Sequence, residues 1–163
     1  MNAPTVTLER ARGGRPLLAI LVGGLVAGTL DIGAAALINL IDPRVILHFI
    51  AGGVLGKAAL QGGPAVAWLG LFLQWSMSLV IAAIFVLAAL RLRWLTVRPV
   101  LTGLAYGVVV FVVMNYVVVP LSAWHRINHF TPASLAWNLL AMLVYGLIIA
   151  VCARRFLGAP PRR

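Results

Sequence analysis

Four stretches of the chain, Leu17 to Leu40, Ala65 to Leu90, Val100 to Pro120 and Pro132 to Ala153, are almost uninterrupted hydrophobic sequence. An α-helix rises ~1.5 Å per residue, so runs of ~20 residues are long enough to cross the ~30 Å hydrocarbon core of a bilayer. Hydrophobic residues make up 63% of the 163 positions, against roughly 45–50% in a soluble domain. One aqueous core could not hide that surface, so lipid is the expected solvent. The expected fold is all-α: a single four-helix transmembrane bundle over residues 17–153, with spans at 17–40, 65–90, 100–120 and 132–153, between basic tails at 1–16 and 154–163.

The spans carry their own punctuation. Proline is favoured in the first helical turn, where its missing N–H costs nothing, and Pro16, Pro64, Pro99 and Pro132 each stand at the head of an apolar run. Thr131 precedes the last as an N-cap. Trp68, Trp94, Trp124 and Trp137 fall near span ends, where amphipathic rings prefer the membrane interface, and Trp75 is the exception.

Charge sets the orientation. The chain is formally +10, with thirteen Lys and Arg. Arg10, Arg12 and Arg15 precede the first span, Arg91, Arg93 and Arg98 separate the second from the third, and Arg154, Arg155, Arg162 and Arg163 follow the fourth. The other two loops hold only Arg44, Lys57 and Arg126. By the positive-inside rule both termini are cytoplasmic, and the loops at 41–64 and 121–131 face outward. Short basic tails and one short loop form no contiguous phosphate-binding face, so nucleic acid is excluded as a partner in favour of the lipid bilayer.

The outer segment Pro43 to Leu60 is unusually apolar, yet Gly52, Gly53 and Gly56 are expected to interrupt it, and Lys57 lies within it. A crossing here would also send the Arg91 to Arg98 cluster outside. An interfacial or re-entrant helical segment is expected instead. Leu17 to Leu30 has the character of a signal-peptide core, with Ala34 to Ala36 offering small residues, but the apolar run continues to Ile41, so an uncleaved span is expected.

Asp31 is the most informative residue, an acid inside the first span. A carboxylate at the bilayer centre costs about 2.5 kcal/mol or more, so such residues face protein or water and are functional candidates by default. Gly24, Ala27, Gly28, Ala34 and Ala35 share its helical face, and Gly24-x-x-x-Gly28 is a close-packing pattern, repeated by Gly103-x-x-x-Gly107 on the third span. Counting residues from the span ends puts Asp31 and Asn115 ~21–22 Å above the cytoplasmic boundary, with Gln74 and Asn138 at a similar height. The expectation is an intramembrane polar cluster of Asp31, Gln74, Asn115 and Asn138, extended by Tyr106, Tyr116 and Tyr145. No Lys or Arg within a span could pair with Asp31, so its carboxyl should be protonated, hydrated or bound to a cation.

His48, His125 and His129 all fall on the outer side, the last two at i, i+4, but no HExxH accompanies them and the acid near them is Asp42. No metal and no cofactor is expected. The sole cysteine, Cys152, excludes an intrachain disulfide, and no nucleophile elbow, phosphate loop or paired catalytic carboxylates occur, so no enzyme is expected.

GTLD at Gly28 to Asp31, ILHFIAGGVLGKAA at Ile46 to Ala59 and GLAYGVVVFVVMNYVVVPLS at Gly103 to Ser122 resemble the YagU-like family of uncharacterised bacterial inner-membrane proteins, over nearly the whole chain. The resemblance implies a location in the bacterial inner (cytoplasmic) membrane and a multi-pass topology. It implies no reaction, substrate or active site. Relatives often carry histidine near the position of Gln74, which weakens any proton-relay role there.

Two functional readings stand on this sequence. One is a non-enzymatic membrane protein whose polar cluster stabilises the bundle and serves assembly or envelope stress, as a homo-oligomer or in a membrane complex. The other is a small transporter or channel component in which Asp31 handles a proton, a cation or a small polar solute.

Overall fold

The computed structural model describes residues 15–125 and 130–158. Arg10, Arg12, Arg126, His129, Arg162 and Arg163 lie outside the described residues. The described chain is all-helical, without strands: α1 (Pro16–Asn39), α2 (Pro43–Leu55) continued by a 3-10 helix (Gly56–Gln61), α3 (Pro64–Arg91), α4 (Trp94–Val97), α5 (Pro99–Val113), a π-helical turn (Met114–Val118), α6 (Val119–Leu121) and α7 (Pro132–Leu157). Five of these stretches are long and apolar enough to cross a membrane: Pro16–Asn39, Pro43–Gln61, Pro64–Arg91, Pro99–Leu121 and Pro132–Leu157. This is a multi-pass integral membrane protein whose apolar helices contact lipid.

Each of the five starts on a proline. Two also carry a side-chain cap that satisfies an orphan N–H. The Asp42 carboxylate accepts from Arg44 N at 2.7 Å, and Thr131 Oγ1 accepts from Ser134 N at 3.2 Å. The fifth helix corrects one expectation: Gly52 and Gly53 do not interrupt α2, which runs through both and stops at Gly56, where φ of +68° leaves the right-handed region. The reason is packing. A Cβ on Gly52 would collide with the Trp124 ring, whose Nε1 donates to Phe49 O at 3.0 Å, while Ala123 N donates to Gly53 O at 2.8 Å. These contacts offset the ~1 kcal/mol that a helical glycine costs.

The third apolar run also differs from a plain helix. Pro120 has no N–H and its ring crowds the carbonyl one turn back, so the preceding turn widens and Val119 N donates to Met114 O, five residues earlier. The helix absorbs the proline and continues to Leu121.

The long helices are antiparallel neighbours. α7 lies between α1 and α5, and α3 lies along α1. Ser78 meets Gly24 and Gln74 meets Gly28, so α1 ends where α3 begins. Arg15 N donates to Phe156 O at 2.9 Å, which puts the start of α1 beside the end of α7. Arg15, Arg91, Arg93, Arg98, Arg154 and Arg155 thereby gather at one end of the bundle, all exposed. The other end carries α2, held to the head of α3 where His48 meets Gly62 O and Leu47 packs on Gly70.

Small residues fill much of the interior beside Phe85, Val86 and Ile149, and many large apolar residues face outward. Ala19, Ala27, Ala82, Ala150, Ala153 and Ser78 are buried, while Leu30, Leu37, Phe72, Val80, Leu87 and Val109 are each more than half exposed. Water would penalise that surface at roughly 25 cal/mol per Å2, whereas lipid does not, and small interior residues let backbones approach closely. At the α5–α7 crossing a Cβ on Gly146 would meet the backbone of Gly103 and Gly107, and a Cβ on Gly107 would lie 2.8 Å from Leu143 Cα. Gly33 has nothing within 4 Å of its Cβ position. Gly146→Ala is accordingly expected to lower stability by about 1–3 kcal/mol, and Gly33→Ala to leave it unchanged or slightly raised. Reversible unfolding in mixed micelles measures both.

Candidate functional site

The acid of α1 is turned toward α3. Gln74 Nε2 donates to Asp31 Oδ2 at 2.9 Å and lies 3.4 Å from Gly28 O, so one amide spans the carboxyl and a backbone carbonyl of the facing helix. One turn further along α3, Ser78, 1% exposed, places Oγ 2.7 Å from both Gly24 O and Tyr145 OH. The glycines make this possible: a Cβ on Gly28 would stand 2.8 Å from Ser78 Oγ, and one on Gly24 would stand 3.1 Å from Leu79 Cα. Trp75 Nε1 donates to Thr29 Oγ1 at 3.1 Å, which gives the tryptophan remote from the span ends an intramembrane partner. The result is a polar seam along α1 and α3 that reaches α7 through Tyr145.

Of the four residues expected to form one cluster, Asp31 and Gln74 are joined by a hydrogen bond. Asn138 Nδ2 donates to Ser134 O at 2.8 Å on its own helix, and Asn115 Nδ2 donates to Phe111 O at 2.9 Å. Residue counting fixes height along a helix but not the direction a side chain takes, and the carbonyl four residues back is always within reach. Tyr106 OH donates to Ile81 O at 2.7 Å and its ring meets that of Phe85 at a tilt, joining α5 to α3. Tyr116 is 56% exposed and extends nothing inward. Ser78 was missed by sequence reasoning, although its i+4 spacing from Gln74 marks the same face of α3.

The histidines are placed apart from this seam. His48 has Nδ1 2.7 Å from Arg44 O and Nε2 3.0 Å from Gly62 O, so both ring nitrogens are engaged in pinning α2. His125 lies in a loop at φ +46°, not on a helix. Among the described residues no three His, Cys, Asp or Glu are grouped to hold a metal.

Two cavities flank the Asp31–Gln74 pair. A groove of about 290 Å3 between α1 and α7 has Asp31 in its wall. A larger one of about 740 Å3 lies under α2, between α3 and the π-helical turn, with Gln74, Met77, Met114 and Val118 among its lining.

The chain matches no family model, no curated protein and no solved structure.

Asp31→Asn preserves an acceptor for Gln74 and should stay within about 0.5 kcal/mol of the parent, whereas Asp31→Leu and Ser78→Ala should each cost about 0.6–1.7 kcal/mol, the range of interhelical hydrogen bonds in membranes. Unfolding in bilayers or mixed micelles reads all three.

Proposed function

We propose that the chain is a non-enzymatic protein of the bacterial inner membrane, with four spans (α1, α3, α5 with its extension through α6, and α7), cytoplasmic termini, and α2 with its 3-10 continuation lying at the outer face. The antiparallel packing of α1 on α3 supports the four-span count. A connection between antiparallel neighbours leaves and re-enters on one side, so α2 is accommodated as an interfacial or re-entrant helix. The arginines gathered at the opposite end support the orientation. The likeness of GTLD, ILHFIAGGVLGKAA and the Gly103 to Ser122 segment to YagU-like proteins supports the compartment.

The observation that carries the functional reading is the seam Asp31–Gln74, Gly24–Ser78–Tyr145 and Thr29–Trp75, which ties three helices together through polar groups satisfied by one another. Such a seam fits a bundle built for stable assembly in the membrane, alone, as a homo-oligomer or within a larger complex serving envelope integrity. A second reading, a transporter or channel component using Asp31 as a proton or cation site, is favoured by one specific feature: Asp31 borders an open groove as well as the seam.

In a variant with Cys152→Ser, Lys57→Cys should react with an impermeant maleimide in intact spheroplasts and Arg93→Cys only after permeabilisation; the reverse pattern would overturn the topology. In proteoliposomes, Asp31→Asn should abolish proton or alkali-cation flux if the second reading holds. Equal flux in parent and variant eliminates it.

A further inference from the structure

We infer that the cavity under α2 holds one acyl chain of a membrane phospholipid from the leaflet on that side, with the hydrocarbon wedged between α3 and the π-helical turn and the ester end beneath α2. This inference rests on the reading of α2 as a helix at a face of the membrane.

The first observation is the shape of the cavity. α3 and α5 are joined by Tyr106, whose hydroxyl donates to Ile81 O at 2.7 Å and whose ring meets that of Phe85. Beyond that bridge the walls part around a space of about 740 Å3, within the ~300–1,000 Å3 typical of ligand pockets. α2 roofs it: His48 Nε2 meets Gly62 O at the head of α3, and Ala123 N, just past α6, donates to Gly53 O. In the opposite wall the π-helical turn has no buried residue, and its Met114 and Val118 line the space. Met77 and Val80 lie near the middle of the 28-residue α3, so the cavity runs from one end of the bundle to its mid-height. In ~30 Å of hydrocarbon that depth is one leaflet, the reach of a single acyl chain.

The second observation is the chemistry of the lining. Asn39 and Ser122 stand at the ends of α1 and α6, where α2 roofs the space, while Met77, Val80 and Met114 form the deep part. Gln74 and Ser76 lie between, and the Gln74 amide nitrogen is committed to Asp31 and Gly28 O. The gradient from polar to apolar is that of a lipid entering tail first. None of the lining residues is ionisable, so a charged ligand would be desolvated there without a counter-charge, whereas a phospholipid leaves its charged head group at the interface. The rim is continuous with the lipid-facing surface: Val54 on α2 and Val80 on α3 are 63% and 55% exposed. The flexible side chains of Met77 and Met114 conform to an irregular chain. A chain gains no transfer energy in moving from lipid to these walls, since both are hydrocarbon, so close packing holds it. Filling the space with protein atoms therefore displaces it.

The test uses a phosphatidylcholine carrying a diazirine midway along one acyl chain, reconstituted with the full chain in vesicles of unlabelled phosphatidylcholine. The vesicles are dissolved in mild detergent and diluted so that loosely held lipid leaves, then illuminated, and adducts are mapped by mass spectrometry. Adducts concentrated at residues 73–80 and 114–122 are expected, saturating at one lipid per chain as the labelled fraction rises. Val118→Trp, which fills the cavity from its wall, should lower them about tenfold. Gly53→Leu should do the same from the roof, where a Cβ lies 3.8 Å from Ser122 Cβ and meets nothing closer, and it decides the matter if Val118→Trp does not fold. Gly33→Leu, where a Cβ has nothing within 4 Å, should leave them unchanged. Adducts spread evenly over the lipid-facing sides of α1 and α7, or undiminished in either folded cavity variant, overturn the inference. Displacement by added squalene but not by unlabelled phosphatidylcholine overturns it in favour of a neutral isoprenoid. Adducts at these two segments, together with a reversed maleimide pattern at Lys57→Cys and Arg93→Cys, retain the site and overturn the topology alone.

Discussion

Hydrocarbon offers no hydrogen-bond partner, so every polar group that α1, α3, α5 and α7 carry into it must be satisfied by another part of the protein. The chain meets this constraint in two ways. Some polar side chains turn to the carbonyl one turn back on their own helix, as Asn138 does to Ser134 O. Those that cannot be satisfied locally are paired across helices, and Asp31 with Gln74 is the pair on which the α1–α3 contact turns. An acid cannot accept from a backbone N–H already used within the helix, so its partner has to come from a neighbour.

That requirement explains why glycine and alanine concentrate where they do. A hydrogen bond from Ser78 to the Gly24 carbonyl needs the two backbones close enough for a short hydroxyl to bridge them, and a Cβ at Gly28 would obstruct it. Gly103, Gly107 and Gly146 allow the equivalent approach between α5 and α7 without polar groups, by backbone contact alone. Bulk is displaced to the lipid face, where Leu and Val are as well solvated as in a core. The bundle is consequently tight along α1–α7 and α5–α7, and looser between α3 and α5, where Tyr106 and Phe85 bridge the gap and the larger cavity opens beneath α2.

Much of this was legible in the residues. Proline at the head of each long helix and an apolar run behind it define the helices because both signals are local. The small-residue stripe around Asp31 indicates which face of α1 packs, since side chains three and four apart share a face. What was not legible depends on tertiary contact. Gly52 and Gly53 read as breakers until Trp124 and Ala123 are seen against them, and Pro120 reads as an end until the π-helical turn before it is seen to absorb the strain. The height counted for Asn138 carries no information on direction, and the Ser134 carbonyl one turn away on the same helix takes its amide. Ser78 drew no notice because a hydroxyl in a membrane helix carries little signal by itself, and its role rests on facing a glycine on another helix.

The account depends on the Asp31 carboxyl facing α3 in a lipid environment. Solid-state NMR on the protein in bilayers, with 13C at the Asp31 carboxyl and 15N at the Gln74 amide, measures that contact directly through their dipolar coupling. A coupling of hydrogen-bond proximity, matching the 2.9 Å separation of Gln74 Nε2 and Asp31 Oδ2, is the predicted result. A vanishing coupling, with the carboxyl relaxing like a lipid-facing group, would contradict the seam and every inference drawn from it.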